Sequence, residues 1–506
     1  MVNIGIDLGT TNSAVGVFKK ESVEILRNSE GMETTPSVIF FTNDNGIDDT
    51  LVGYQAKNAA MTAPNNVVQF VKRQMGKSDY KYISPSQNEY NAESLSAIIL
   101  KKLKQDAELS LGESVKNAVI TVPAYFDDAQ RVATKQAGLI SGINVLRVIN
   151  EPTAAALAFG IQDEKNGKVL VYDLGGGTFD VTLMEVNDKK FDVIATGGDS
   201  KLGGINFDQI LSGLIYTGLE SEGLEIDIED DLLNSEIREK AEIAKKQLSN
   251  IEQTKPRFTI EGKTYTVKIT RDQFEQASKT LLDRTELYID EIFEEQNITW
   301  NDIDHLLVIG GSTRMPMVKK LLEKLSGKTV KYEVNPDTAV AIGAAILAST
   351  LDQEKKVSPG IGSSKLQISD VTSQTLGLIT FDPTSDEKQN SPIILNNTKI
   401  PAKSSIQVST RHDNQTTINI TVTEGNDIDL EFVKIVGEKD LTIPSYPKGA
   451  PIEVTYAYDI DQTIFIEVKD LTTNKSLGTF DIDRSANLNA EELGKSIEIV
   501  QQAEVE

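Results

Sequence analysis

Two stretches far apart in the chain repeat one pattern. Ile4 to Phe18 reads IGIDLGTTNSAVGVF and Val171 to Val186 reads VYDLGGGTFDVTLMEV. Each sets Asp-Leu-Gly at the end of one β-branched run and before another, which describes a strand, a tight glycine turn and a second strand. A chain that carries this hairpin twice is constrained to an architecture with two like halves. The repeat also carries chemistry. Asp7 and Asp173 close their strands, and the Gly and Thr after them offer backbone N–H groups that can approach phosphate oxygens without side-chain interference. The two carboxylates then suit a Mg²⁺ held through waters. A third glycine turn, Val308-Ile309-Gly310-Gly311-Ser312-Thr313-Arg314, follows a strand. It precedes a helix with Pro316 near its start and Val318, Leu321, Leu322 and Leu325 on one face, a junction that suits a nucleotide. One such turn alone reads as an ordinary tight turn; three, two of them with an aspartate, favour phosphate. Gly327-Lys328-Thr329 and Gly494-Lys495-Ser496 imitate the tail of a P-loop, but the glycine due five residues earlier is Leu322 in one and Asn489 in the other.

Up to residue 357, short β-branched runs such as Val169 to Leu174 alternate with helical patterns such as Val318 to Leu325, an α/β texture. From Thr372 the period becomes two, as in Thr417-Ile418-Asn419-Ile420-Thr421-Val422 and Ile464-Phe465-Ile466-Glu467-Val468, with Asn, Gly and Pro turns between, and this reads as an all-β sandwich. SPGIGSSKLQISD lies between them as a flexible connection with one apolar patch. The expected division is 1–357 for the α/β part, 358–371 for the linker, 372–485 for the sandwich and 486–506 for the start of a helix. Asn489 with Glu492 forms a capping box for that helix, which lacks a stop signal and is expected to run into the C-terminus.

Charge narrows the function. Lys and Arg total 51 against 76 Asp and Glu, and a net charge of −25 opposes phosphodiester backbones and anionic lipid surfaces, so no nucleic-acid or membrane partner is expected. With no cysteine and only His305 and His412, the chain lacks thiolate or His-rich metal sites. Asp7 interrupts the start before any leader-like apolar run, and the longest apolar stretch, Ala339 to Ala348, is too short to span a bilayer; a cytoplasmic location is expected. Along 236–249, Ile237, Ala241, Ala244 and Leu248 share one face, while Glu242, Lys245, Lys246 and Ser249 share another. By spacing alone the second is a solvated stripe with an i,i+4 ion pair.

The set GIDLGTTNS, VKRQMG, VPAYFDDAQR, INEPTAAALAFG, DLGGGTFD, KLGG, AEIAKKQLS and VIGGSTRMP resembles the DnaK-type chaperones, the seventy-kilodalton heat-shock family, and SLGTFDI and KIPAKSSIQVST extend the likeness. The resemblance implies an actin-like, two-lobed α/β ATPase domain with ATP or ADP, Mg²⁺ and K⁺ between the lobes. It further implies a β-sandwich that grips extended apolar peptides of unfolded proteins, a J-domain co-chaperone and a nucleotide-exchange factor. At the matching positions Gly9, Thr10, Thr11 and Asn12 would cradle phosphates from one lobe and Gly175, Gly176, Gly177 and Thr178 from the other, with Gly203 and Gly204 closing over them. Asp7, Asp173 and Asp180 would arrange the cations. Lys72 would sit by the γ-phosphate, and Glu151 and Thr178 would position the attacking water. Glu242, Lys245, Lys246 and Ser249 would hold adenosine with Gly311, Ser312, Arg314 and Asp337, which reverses the solvated-stripe reading. Leu378, Val408, Ile418 and Ile420 would line the peptide pocket, with Phe381 and Arg411 arching over it. Pro123, Arg131 and Asp370 would relay nucleotide state. An ATPase scaffold serving one dedicated partner is the alternative use of the same parts.

Three departures from the family pattern stand out. The linker reads Leu366-Gln367-Ile368-Ser369-Asp370, with two polar residues in a run that is ordinarily Leu and Val. The helical lid after the sandwich is expected to be absent. The arch pair is ordinarily small or Met-like, and a guanidinium at 411 has to turn to solvent or find an acceptor in the peptide.

Overall fold

The computed structural model describes residues 2–20, 22–163, 165–227, 229–354, 366–382, 384–460, 462–481 and 487–506. Both repeated hairpins form, Val2–Asp7 against Asn12–Lys19 and Gly167–Leu174 against Phe179–Asn187, each antiparallel. Each seeds a sheet of the same plan. The first runs from Asn144–Asn150 through Val115–Val122, Val2–Asp7 and Asn12–Lys19 to Ser22–Leu26, its first two joints parallel. The second runs from His305–Ile309 through Gly167–Leu174 and Phe179–Asn187 to Lys190–Asp199, its first joint parallel. Parallel strands are covered on both faces, which is why Val169, Leu170, Val171 and Tyr172 are all fully buried. The helix Ala339–Glu354 crosses the first sheet at backbone contact: a Cβ on Gly5 would lie 2.1 Å from the Ala345 nitrogen. Glycine is needed there for closeness, not for its dihedral freedom. Among the described residues no helix is long and apolar enough to cross a membrane.

The period-two region forms two four-stranded antiparallel sheets. One holds Lys388–Ile394, Leu376–Phe381, Gln415–Glu424 and Lys434–Tyr446; the other holds Ala402–Ser409, Pro451–Tyr458, Ile464–Asp470 and Lys475–Asp481. Alternation drives the packing, with Ile418, Ile420 and Val422 buried from one sheet and Ile452, Val454 and Tyr456 from the other.

Residues 358–365 of the expected linker lie outside the described residues; 366–371 do not form a loose connection. Gln367–Ser369 is a strand, paired parallel with Lys190 to Asp192, and it extends the second sheet. Leu366 and Ile368 pack against that sheet's core. The two polar departures are used unequally. Gln367 is exposed, whereas the Ser369 hydroxyl donates to Asp192 Oδ1 at 2.5 Å. Gln367→Leu should therefore leave amide-exchange protection of the paired strands Gln367–Ser369 and Lys190 to Asp192 within about twofold. Ser369→Ala should lower it about fivefold, the worth of one hydrogen bond of about 1 kcal/mol; equal exchange rates in the two variants would count against this docking contact.

The expectation that the C-terminal helix runs on without a stop is corrected. Asn489 and Glu492 do form the capping box, but the helix Ala490–Gln502 ends as Ala503 turns extended, and Glu504–Val505 pairs parallel with Ile47–Val52 in the first lobe. Val500 is buried in that lobe's core. Lys101 Nζ donates to the carbonyls of Val500 and Ala503, both at 2.9 Å, satisfying groups that a helix end leaves open. Thr50 Oγ1 donates to the Glu504 carbonyl at 2.7 Å. No stop residue in the helix announces this, because the partner strand lies more than four hundred residues away in sequence.

Candidate functional site

The carboxyl ends of the two sheets open onto one cavity of about 640 Å³. The first lobe lines it with Asp7, with Gly9, Thr10, Thr11 and Asn12 of the hairpin turn, and with Lys72 from the 3₁₀ turn Val71–Gln74. The second lobe brings Asp173, Gly175, Gly176, Thr178 and Gly204, and Glu151 enters from the first turn of the helix Glu151–Asp163. The two glycine turns meet: a Cβ on Gly176 would strike the Thr11 side chain at 2.4 Å, and one on Gly177 the Thr10 side chain at 2.4 Å. Gly177, Gly203 and Asp180 stand just behind the lining, where the Gly175 N–H donates to the Thr178 carbonyl at 3.0 Å and Gly204 N–H to the Gly175 carbonyl at 3.0 Å.

Charge is concentrated at this end. Lys72 is buried and ion-paired with Glu151, with Asp7, Asp173 and Asp180 around them. Burial, and then the charge of Glu151, pushes Asp7 and Asp180 up to about 7; the same causes raise Asp173 well above the usual range. Asp7 accepts from Thr121 Oγ1 at 3.1 Å and Asp180 Oδ1 from the Tyr125 N–H at 2.9 Å, while Asp180 Oδ2 has no partner. Buried carboxylates crowded in this way fit a cation. Among the described residues no three acidic or histidine side chains converge as direct metal ligands.

The other end of the cavity is lined by Glu242, Lys245, Lys246 and Ser249 together with Gly311, Ser312, Arg314 and Asp337. The solvated-stripe reading from spacing alone fails here, because the stripe faces a cleft that sequence spacing cannot show. Against burial, which alone would raise it, Lys57 and Lys246 hold Glu242 down to about 2. Lys245 Nζ reaches Asp208 at 2.8 Å and the Gly204 carbonyl at 3.1 Å, Arg314 meets Asp337 at 2.6 Å, and Ser312 Oγ donates to the Gly175 carbonyl at 2.9 Å. Lys57, which pairs with Glu242 across the cleft, and Asp208 were not found from sequence; neither sits in a glycine turn or at a distinctive spacing.

A family model described as "Hsp70 protein" matches residues 3–506. The chain belongs to the Hsp70 family. It is similar to a chaperone protein DnaK of Thermosipho melanesiensis, 40% identical over 511 residues, an alignment that takes in 98% of this chain and 82% of that one. As a member of the Hsp70 family it has the actin-like two-lobed ATPase fold followed by a β-sandwich. It is an ATP-dependent molecular chaperone, an ATPase that binds ATP and ADP and acts on unfolded peptides with co-chaperones.

Where the Hsp70 sandwich meets the ATPase lobes, Arg131 is buried and donates to the carbonyls of Phe126 at 3.1 Å and Ala124 at 3.0 Å. Pro123 is buried two residues before Tyr125. Asp370 accepts from Asn150 Nδ2 at 2.7 Å; burial raises its carboxyl, and the charge of Arg131 opposes that rise. Beside them lies a group of charges with no motif: Lys434 Nζ donates to Asp127 at 2.6 Å, while Glu424 is buried next to both. In the sandwich, Leu378, Ile418 and Ile420 are buried in the layer between the sheets, and Val408 packs against it half-buried. The Arg411 guanidinium lies 3.4 Å over the Phe381 ring and donates to Asp386 Oδ1 at 2.5 Å. It has therefore found its acceptor within its own chain.

Proposed function

We propose that the cavity holds ATP with its phosphates between the two glycine turns, and with Mg²⁺ and K⁺ among Asp7, Asp173 and Asp180. The observation that carries this reading is the buried Lys72–Glu151 pair set among three crowded carboxylates, one with an unpartnered oxygen. Bound Mg²⁺ would supply neutralisation of the charge that develops on the phosphoryl oxygens. The chain's own groups do the rest. The N–H groups of the turns at Gly9 and Gly175 bind phosphate oxygens, Lys72 offers its ammonium to the γ-phosphate, and Glu151 and Thr178 orient the attacking water. Glu242, Lys245, Lys246 and Ser249 grip the adenosine end with Gly311, Ser312, Arg314 and Asp337. Catalysis of this kind works by positioning and charge stabilisation, without a covalent intermediate. Hydrolysis measured in Mg²⁺ and K⁺, and again after chelation or replacement by Na⁺, tests the cation assignment; turnover that ignores both changes would sink it.

Extended apolar peptides bind in the sandwich under the Phe381 and Arg411 arch, against half-buried Val408, and have to open the packed layer that holds Leu378, Ile418 and Ile420 to reach those three. Pro123, Arg131 and Asp370 carry the nucleotide state to residues 372–485 through the linker. A J-domain co-chaperone and a nucleotide-exchange factor act on the cycle, in the cytoplasm. Release of a labelled peptide measured with ATP and with ADP tests the coupling, and identical rates would refute it. Because Asp386 already takes the Arg411 charge, acidic residues flanking the peptide's apolar centre should gain less than about twofold from Arg411. Arg411→Ala should instead speed peptide dissociation by about two- to fivefold, since a stacked, partly exposed guanidinium contributes about 0.5–1 kcal/mol. A peptide array in which acidic peptides alone respond to Arg411→Ala would show that the arch reads charge after all.

A further inference from the structure

Lys72 and Arg73 are consecutive in one 3₁₀ turn of the first lobe, yet they do different things. Lys72 lines the cavity; Arg73 crosses the cleft to the second lobe. Its Nε and Nη2 both donate to the Gly177 carbonyl, at 3.0 and 2.6 Å, and Nη2 also reaches the Lys201 carbonyl at 3.2 Å and Asn206 Oδ1 at 2.9 Å. The same Asn206 oxygen accepts from the Gly203 N–H at 3.0 Å. One guanidinium thus holds the carbonyl side of the Gly175 to Thr178 turn and, through Asn206, the start of the helix Gly204–Ser221. Those two segments are themselves joined, Gly204 N–H to Gly175 carbonyl at 3.0 Å and Ile205 N–H to Gly176 carbonyl at 2.9 Å. Only arginine offers a planar fork that can serve several acceptors at once, and this half-buried fork spans the cleft with its Lys201 contact open to solvent.

We infer that Arg73 is a positioning residue: an interlobe clasp that fixes the second phosphate turn against the Lys72 turn and holds nucleotide in the closed cleft. The inference rests on the reading that ATP lies between the two glycine turns with Lys72 at the γ-phosphate. A ligand held by both lobes can leave only when they part, and parting breaks all four Arg73 contacts. The clasp therefore sets the rate of ADP release as well as the alignment for hydrolysis.

The test uses the full chain, with a fluorescent ADP for dissociation and single-turnover ATP hydrolysis for chemistry. Arg73→Ala is expected to speed ADP dissociation at least tenfold and to slow single-turnover hydrolysis at least tenfold. Arg73→Lys, which keeps the charge but not the fork, should fall near Arg73→Ala in dissociation. Asn206→Ala should give a smaller acceleration that vanishes in the Arg73→Ala background, because the two act as one unit. Lys72→Ala run alongside separates the two ideas: if it loses hydrolysis while Arg73→Ala matches wild type in both rates, the clasp is wrong and the site reading stands. Full additivity of the Arg73 and Asn206 effects would equally overturn the clasp. A merely structural role would lower the unfolding midpoint without changing ADP dissociation, and that pattern also overturns it.

Discussion

Lys72→Ala should reduce single-turnover ATP hydrolysis by about 10²–10³-fold or more while ATP affinity falls only modestly. The ammonium is buried and, among the described residues, faces Asp7, Asp173, Asp180 and Glu151 together, opposing the charge on all three aspartates. Removing one well-placed charge-stabilising donor ordinarily costs about 3–4 kcal/mol in the transition state, and ground-state binding has many other contacts to draw on. Rapid-quench hydrolysis and equilibrium titration with a fluorescent ATP analogue separate the two. Hydrolysis at the wild-type rate would remove Lys72 from the mechanism.

Docking of the sandwich onto the ATPase lobes should weaken as pH rises from about 6 to 8, and Glu424→Gln should reduce that dependence markedly, leaving the part that Asp370 supplies. Glu424 is pushed up to about 8, first by burial and then by the charge of Asp127, with Lys434 opposing. Lys434 gives its hydrogen bond to Asp127 instead, at 2.6 Å. Among the described residues, Arg131 and Tyr458 also face this pocket, and Asp370, its carboxyl likewise raised by burial, faces Arg131. Once the domains part, Glu424 regains water and an ordinary carboxyl pKa, so the docked form binds a proton that the undocked form has lost. Docking is thus fully favoured below the ordinary value and loses strength as pH climbs through 8, by up to about tenfold per unit between those limits. Energy transfer between dyes on the first lobe and on the sandwich, followed across this range with ATP present, reads the effect. An equal slope in wild type and Glu424→Gln would assign the titration elsewhere.

Much of this was legible in the sequence, and what was not has a common cause. The two Asp-Leu-Gly hairpins, the strand–turn–helix at Gly310 and the capping box at Asn489 are local, so residue type and spacing define them. The alternation at Thr417 to Val422 likewise needs only its own strand to declare a buried face. The strand Gln367–Ser369 could not be read this way, because it forms only against Lys190 to Asp192. The Glu242 to Ser249 stripe fits a solvated helix face until the opposite wall of the cleft is known. Arg411 illustrates the same limit: its acceptor, Asp386, lies 25 residues earlier in a turn whose geometry no periodicity reports.

The strand Glu504–Val505 changes the mechanics of the whole chain. With residues 366–371 held at one end and Asn487 to Glu506 held in the first lobe at the other, the sandwich is a loop pinned at both ends. Any movement away from the lobes opens that loop without setting an arm free. The space the sandwich can explore stays small, and its effective concentration for return is on the order of millimolar or above. The entropic cost of closing such a loop grows only with the logarithm of its length, so insertions in the sandwich turns should hardly change redocking. Cutting the chain between Asp481 and Asn487 would convert the pinned loop into a swinging arm.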